Sequence, residues 1–346
     1  MKAAVLHGVD DLRYEDFPDP KTGEGDVLVK VKATGICGSD IPRVLADGAH
    51  YYPIVLGHEF SGEVIECGKG VKSLSVGDKV AGAPLVPCMK CRDCQKGDYS
   101  LCKFYTFIGS RIQGSYAEYI SVPERNAVKF HQNTSYEQGA FFEPSTVALH
   151  GLLRVNYTGG ANVAILGGGT IGIFTAQWAR ILGAKSVTVF DVVPERLELA
   201  KKLGVSHTIN SSSDFKEQIN EITSGLGYDF VYETAGLNIT MNTAFEISGN
   251  KAQVCFIGNS HKPLTFDHRL FEKMYRKEFM LTGSWMSYSA PFPGKEWEWT
   301  AHYFATGELK FDESLIYKRF PLSKIADAFA MYKDPKNVKG KLLITE

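Results

Sequence analysis

The sequence carries almost no net charge. Its 346 residues hold 38 Lys and Arg against 39 Asp and Glu, a formal balance of −1. A chain without a global basic field has no extended surface for nucleic acid or an anionic membrane, so any anionic partner is small and is met by a few local residues. No secretory leader is expected either, since Met-Lys-Ala-Ala-Val-Leu-His-Gly-Val-Asp-Asp reaches acids before any adequate apolar stretch. Residues 155–179 carry no formal charge, but Thr158, Gly159, Gly160, Asn162 and the Gly167-Gly168-Gly169 run break the hydropathy that a membrane span requires. There is no internal repeat and no low-complexity tract. The expectation is a cytoplasmic protein. Hydrophobic residues make up 44% and charged residues 22%, which excludes a disordered chain, and the length calls for two domains.

Cysteine is sparse and oddly numbered. Of seven, Cys88, Cys91, Cys94 and Cys102 fall in one short run. In a long chain without a leader this clustering points to a metal and not to a disulfide framework. Four thiolates at these spacings suit one tetrahedral zinc, and a site closed by four ligands is structural; an iron–sulfur cluster takes the same donors. Cys67 and Cys255 read as ordinary strand residues. A second metal set is dispersed: Cys37 in Gly-Ile-Cys-Gly-Ser-Asp, His58 and Glu59 in Leu-Gly-His-Glu-Phe, and Glu143 in Phe-Glu-Pro-Ser offer thiolate, imidazole and carboxylate, which zinc accepts together.

The first 130 residues are rich in strands and turns, with Val27-Leu-Val-Lys-Val-Lys-Ala and Phe60-Ser-Gly-Glu-Val-Ile-Glu-Cys as clear strands. The texture changes near residue 160. Asn162-Val-Ala-Ile-Leu, Ser186-Val-Thr-Val-Phe-Asp, Asp229-Phe-Val-Tyr-Glu and Ala252-Gln-Val-Cys-Phe-Ile-Gly are strands alternating with helical stretches, the pattern of a parallel sheet. Between the first two of these strands, Gly167-Gly-Gly169-Thr170-Ile171-Gly172 fits G-x-G-x-x-G, opening a helix whose free N–H groups suit a pyrophosphate. Asp191 closes the second strand 19 residues beyond Gly172, where an acid takes the adenosine ribose hydroxyls and disfavours a 2′-phosphate. NAD is therefore expected over NADP. Arg196 is the nearby cation that bears on this choice, although its plain reading is a solvated residue on the helix beginning at Pro194.

These motifs resemble, over essentially the whole chain, the zinc-dependent medium-chain dehydrogenase/reductase family. Glu143 in place of a third thiolate resembles the polyol dehydrogenase branch. The segments Gly48-Ala-His-Tyr-Tyr-Pro-Ile, Phe107-Ile-Gly-Ser-Arg111 and Gly283-Ser-Trp-Met-Ser-Tyr-Ser-Ala-Pro-Phe-Pro-Gly-Lys-Glu-Trp297 resemble its polyol-phosphate members. The resemblance implies a partly opened, GroES-like β-barrel catalytic domain over 1–150 with a zinc lobe near 85–105. A doubly wound Rossmann domain follows over 151–283, and the chain returns to the catalytic domain over 284–346. It implies two zinc ions per subunit, NAD, and a homodimer or homotetramer. Cys37, His58 and Glu143 would hold the catalytic zinc, with Glu59 a direct ligand or a neighbour that moves during exchange. Ser39 would accept the alcohol proton. Many relatives carry a relay histidine shortly after this serine; here Asp40-Ile-Pro-Arg43 follows instead.

The implied reaction is oxidation of a secondary alcohol of a polyol phosphate. Arg43, His50, Arg111 and Lys295 are the cations offered for the phosphate, against a plain reading of each as a solvated surface charge. An unphosphorylated polyol or vicinal diol is the alternative substrate, and a non-catalytic NAD-binding sensor the alternative of another class. The aromatic group Trp285, Tyr288, Phe292, Trp297 and Trp299 admits three roles: substrate wall, oligomer contact or core.

Overall fold

A computed structural model describes residues 1–334 and 338–346. Two compact units emerge. One comprises Met1–Glu143, Tyr288–Gly307 and Ile316–Glu346, and the other Pro144–Ser287 with Glu308–Leu315. Residues 144–150, 284–287 and 308–315 thus pack with the second unit, where the sequence reading put them in the first.

The first unit is built mainly from antiparallel strands. Its larger sheet runs Ala127–Lys129, Lys79–Gly82, Glu59–Cys67, Asp26–Gly35, Lys341–Thr345, Ile316–Pro321, and Tyr119–Pro123 also pairs with Asp26–Gly35. No pairing among the described residues joins the two ends, so the barrel stays open. Asp26–Gly35 alternates half-buried and buried positions over most of its length, and Val27, Val29, Val31, Phe60, Val64 and Val80 form the core beneath it. Period-two alternation with one wet face is what an antiparallel strand over a single core requires. The C-terminal strand Lys341–Thr345 inserts beside it, with Leu343 opposite Gly35. The last residues of the chain therefore lie against the segment that leads to Cys37.

The second unit is a six-stranded parallel sheet in the order His207–Asn210, Ser186–Asp191, Asn162–Leu166, Tyr228–Glu233, Ser248–Phe256, Met280–Gly283. Numbered along the chain this is 3-2-1-4-5-6, the doubly wound arrangement. Ala164, Leu166, Val231 and Val254 are buried on the sheet, as covering by helices on both faces demands. The order reverses between Asn162–Leu166 and Tyr228–Glu233, and the crevice at the carboxyl ends of these two strands is where such sheets take ligands. Among the described residues no helix is long and apolar enough to cross a membrane.

Candidate active site

Strand register assembles the first constellation. Gly35 pairs with Glu59, so the ends of two adjacent strands deliver Cys37 and His58 to one place. A side chain at Gly35 would collide with the Glu59 carboxylate, which leaves this crossing to glycine. Glu59 is buried, and both its oxygens accept from Lys341 Nζ, at 2.8 and 2.6 Å; the same ammonium donates to the Ile36 carbonyl at 3.1 Å. Burial opposes the charge on Lys341, but Glu59 and then Cys37 outweigh it and hold the amine above its ordinary range. In this arrangement both Glu59 oxygens are engaged by a lysine. Lys341 was absent from the sequence reading, because only the sheet brings it within reach of residue 59.

His58 is also buried, its ring edge-on to Phe107. Its Nδ1 lies 3.5 Å from Asp40 Oδ2 and has no hydrogen bond, so a buried ring nitrogen is left without a protein partner among the described residues. Asp40, fully buried, accepts from Tyr116 Oη at 2.9 Å and from Arg43 Nη1 at 3.2 Å. Burial raises its pKa, against the pull of His58 and Arg43. Ser39 Oγ donates to Cys37 Sγ at 3.3 Å. Burial, followed by the Glu59 charge, raises the Cys37 thiol. Glu143, opening the helix Phe142–Leu153, is pushed up to about 7, first by burial, with His58 and Lys341 pulling down and Glu59 and Asp40 pushing up.

Cys37, His58 and Glu143 thus share one electrostatic neighbourhood overloaded with acids, and their donor types fit zinc, whose charge would favour the thiolate and carboxylate forms. Their ligand atoms are more widely spaced than those of the four cysteines, the only close metal-type group among the described residues.

At that group the sulfurs of Cys88, Cys91, Cys94 and Cys102 all lie within 4.8 Å of one another, with Cys88 and Cys94 at 3.9 Å. Four ligands at ~2.3 Å on a tetrahedron put sulfurs about 3.8 Å apart, so the thiols are set for zinc. The N–H groups of Lys90 and Cys91 point at Cys88 Sγ and bring its thiol down to about 6. Phe292 meets Tyr99 of the lobe edge-on and stacks on Tyr288, which stacks in turn on Trp297. Of the three roles open to these aromatics, Tyr288 and Trp297 take core packing, whereas Trp285 is 54% exposed.

In the second unit, Gly167 has φ +106° and a side chain at Gly172 would strike the Gly167 carbonyl, so the turn admits only glycine at both positions. Gly169 caps the helix Thr170–Ile181 and faces open space. Asp191 is buried, its oxygens accepting from Gly168 N at 2.6 Å and Val193 N at 2.8 Å. Arg196 lies 3.5 Å from the same carboxylate, so it pairs with the acid and is not simply solvated. Sequence reasoning missed Glu233. It ends the neighbouring strand as Asp191 ends its own, is fully buried, and Oε1 accepts from Ala235 N, Gly236 N and Thr240 Oγ1. Its signal was an acid closing an apolar strand one position from the Gly-rich strand in the sheet.

The cations divide. His50 lies near Arg111 and Arg43; its pKa is lowered by burial and then by these two guanidiniums. Arg111 packs on the Tyr105 ring at 4.8 Å. Lys295 stands over Trp299 at 5.5 Å, and no ion pair or ring contact joins it to the other three.

The family model described as the alcohol dehydrogenase GroES-like domain matches residues 23–132, and that described as zinc-binding dehydrogenase matches 170–302. Galactitol 1-phosphate 5-dehydrogenase of Escherichia coli (strain K12) is 44% identical over 331 residues, covering 95% of each chain. A crystal structure of galactitol-1-phosphate dehydrogenase from Escherichia coli superposes with a TM-score of 0.94 over 100% of both chains at 41% identity. Sorbitol dehydrogenase of Bacillus subtilis (strain 168) is 35% identical over 272 residues, 75% of each chain. A zinc-binding dehydrogenase structure from Sinorhizobium meliloti 1021, bound to NADP, superposes at 0.90 with 29% identity, over 100% of this chain and 99% of its own.

Two outcomes follow from the geometry. Removing metal from the cysteine lobe, by chelation or by Cys94→Ser, is expected to expose residues 85–105 to protease while the Gly-rich unit stays resistant; limited proteolysis reads this. In the metal-free protein folded Glu143 keeps a proton from pH ~4.5 to about 7 that the unfolded chain has lost. Stability should therefore fall as pH rises through that window and level off above it. Denaturant midpoints of chelator-treated protein check the slope, which Glu143→Gln should flatten.

Proposed function

The chain belongs to the zinc-dependent polyol dehydrogenases, and from that premise we propose that it oxidises a polyol phosphate, galactitol 1-phosphate to tagatose 6-phosphate, with NAD as the acceptor. The observation that carries the phosphate is that Arg43 bonds through Nη1 alone, leaving Nε and Nη2 without a hydrogen bond among the described residues, while Arg43 and Arg111 both act on His50. Guanidinium forks suit phosphate oxygens. The 44% identity to the E. coli enzyme over nearly the whole chain supports the same substrate class.

Cys37, His58 and Glu143 would hold the catalytic zinc, and the four cysteines a second, structural one. A zinc ion there supplies Lewis acidity toward the alcohol oxygen, and NAD supplies the site that takes the hydride. The chain's residues do the rest. Asp40 sets the His58 ring, Lys341 holds Glu59 back from the donors, and Ser39 Oγ accepts the hydroxyl proton and passes its own toward solvent. One C–H hydride and one O–H proton leave the alcohol, which becomes a ketone. Asp191, pinned by two backbone N–H groups, is a fixed negative charge that favours NAD over a 2′-phosphorylated coenzyme. The decisive assay compares kcat/KM for galactitol 1-phosphate and galactitol with NAD and with NADP. We expect the phosphate ester to be preferred at least ~100-fold, the order of two charge-assisted contacts. Preference for the free polyol would give the chain the sorbitol-type reading instead, and preference for NADP would remove the role of Asp191.

A homodimer or homotetramer in the cytoplasm completes the reading. Met280–Gly283 is the edge strand of the parallel sheet, with Met280 62% and Leu281 40% exposed, and an apolar open edge is suited to a second copy. Leu281→Lys is expected to shift the sedimentation coefficient toward monomer; an unchanged value would place the contact elsewhere.

A further inference from the structure

We propose that Arg43 links the substrate's phosphate to the proton acceptor Ser39, so that the phosphoryl group governs turnover and not binding alone. This rests on the phosphate-ester reading above and adds to it a route by which one end of the substrate acts on the other.

Arg43 lies on the short helix Asp40–Leu45 with its side chain 25% exposed. All its hydrogen bonds run through one nitrogen: Nη1 donates to the Ser39 carbonyl at 2.7 Å, to Ser39 Oγ at 3.1 Å and to Asp40 Oδ1 at 3.2 Å. Nε and Nη2 have no hydrogen-bond partner among the described residues, so the rest of the guanidinium fork is open to an anion. Arg111 supplies further positive charge nearby, since burial and then Arg111 and Arg43 lower the pKa of His50. The same side chain therefore belongs to two groups: the cation cluster, and the Ser39–Asp40 pair that serves Cys37 and His58.

The hydrogen-bond count at Ser39 Oγ gives the consequence. The hydroxyl donates its one proton to Cys37 Sγ and accepts from Arg43 on one lone pair, so the oxygen that takes the alcohol proton on its remaining lone pair carries a guanidinium at 3.1 Å. A cation at that distance opposes an arriving proton. A phosphate dianion on the open fork offsets this charge and competes with Ser39 and Asp40 for the guanidinium. Ser39 then accepts more readily, and Asp40 is freer to act on His58. An unphosphorylated polyol leaves the brake in place.

The test divides the substrate in two. Galactitol is turned over with saturating NAD while phosphite dianion is titrated as a free surrogate for the phosphoryl group, and NADH is followed by absorbance. Saturable activation of ~10-fold or more is expected, the order of one charge-assisted hydrogen bond. Arg43→Met should abolish the activation and lower kcat for galactitol 1-phosphate beyond its effect on KM. Arg43→Lys, which keeps the charge and loses the fork, should restore part of it. Calorimetry of phosphite with wild type and Arg43→Met reads binding apart from activity, and Arg111→Met should act mainly on KM. The proposal is overturned if phosphite binds without activating, if it inhibits, or if the Arg43→Met loss lies wholly in KM while galactitol 1-phosphate remains the preferred substrate. If the free polyol is preferred by wild type, the substrate reading falls and the link falls with it. Should Arg43→Met fail to fold, the wild-type phosphite titration and the lysine variant still decide.

Discussion

The buried pair between Lys341 and Glu59 is the interaction on which the first unit's chemistry depends. It ties three stretches far apart in sequence: the strand running to Gly35, the strand beginning at Glu59 and the strand beginning at Lys341. Taking both charges out of water is expensive, and their attraction repays this only with good geometry and satisfied donors. Both conditions are met here, since the ammonium reaches two carboxylate oxygens and the Ile36 carbonyl. Removing one partner would strand the other charge beside Cys37. The pair is thus better understood as fixing strand register and Glu59's place than as a source of net stability. Gly35 is its steric condition, because any side chain there would occupy the carboxylate's position.

Around that pair the charges do not balance within the protein. Asp40, Glu59, Glu143 and the Cys37 thiol face Lys341, Arg43 and His58, and burial drives Asp40, Cys37 and Glu143 toward their protonated forms. In the proposed reading a zinc ion is the cation that such a group of buried acids accommodates. The cysteine lobe solves the same problem differently. Its thiols are gathered by a short loop and assisted by nearby backbone N–H groups, so its donors are close without help from distant strands. One set is drawn from distant strands and widely spaced; the other is local and tight.

What was legible in the sequence follows the same division between local and distant causes. The strand Asn162–Leu166, the turn at Gly167 and the strand ending at Asp191 could be read to the residue, because a buried parallel strand is a short apolar run and the turn admits only glycine at two positions. The four cysteines were legible as a metal group because eleven intervening positions cannot carry them far apart. Lys341 and Tyr116 were not legible, since nothing in Lys-Leu-Leu-Ile-Thr or Ser-Tyr-Ala announces a neighbour some hundreds or tens of residues away. The same holds for Glu59, whose type suits a ligand but whose partner is a lysine delivered by sheet pairing. Asp191 was read as a ribose acceptor, and the structure adds that two backbone N–H groups and Arg196 already hold it. The cations were legible as a class and not by their neighbours: Arg43 and Arg111 both act on His50, whereas Lys295 stands over Trp299.

The near-zero net charge then acquires a different meaning. A chain with a net charge of −1 cannot steer a phosphate by its overall field, so recognition has to be local. Local recognition by arginine is costly to leave unpaired, and a chain without its ligand must hold such a side chain somewhere. Arg43 is held by Ser39 and Asp40, the two residues that serve the reacting end. In the proposed reading the resting partners of the cation are also parts of the proton and metal apparatus, which couples phosphate recognition to reactivity. Whatever draws the guanidinium outward changes the charge at Ser39, and whatever replaces Arg43 alters both ends of the site at once.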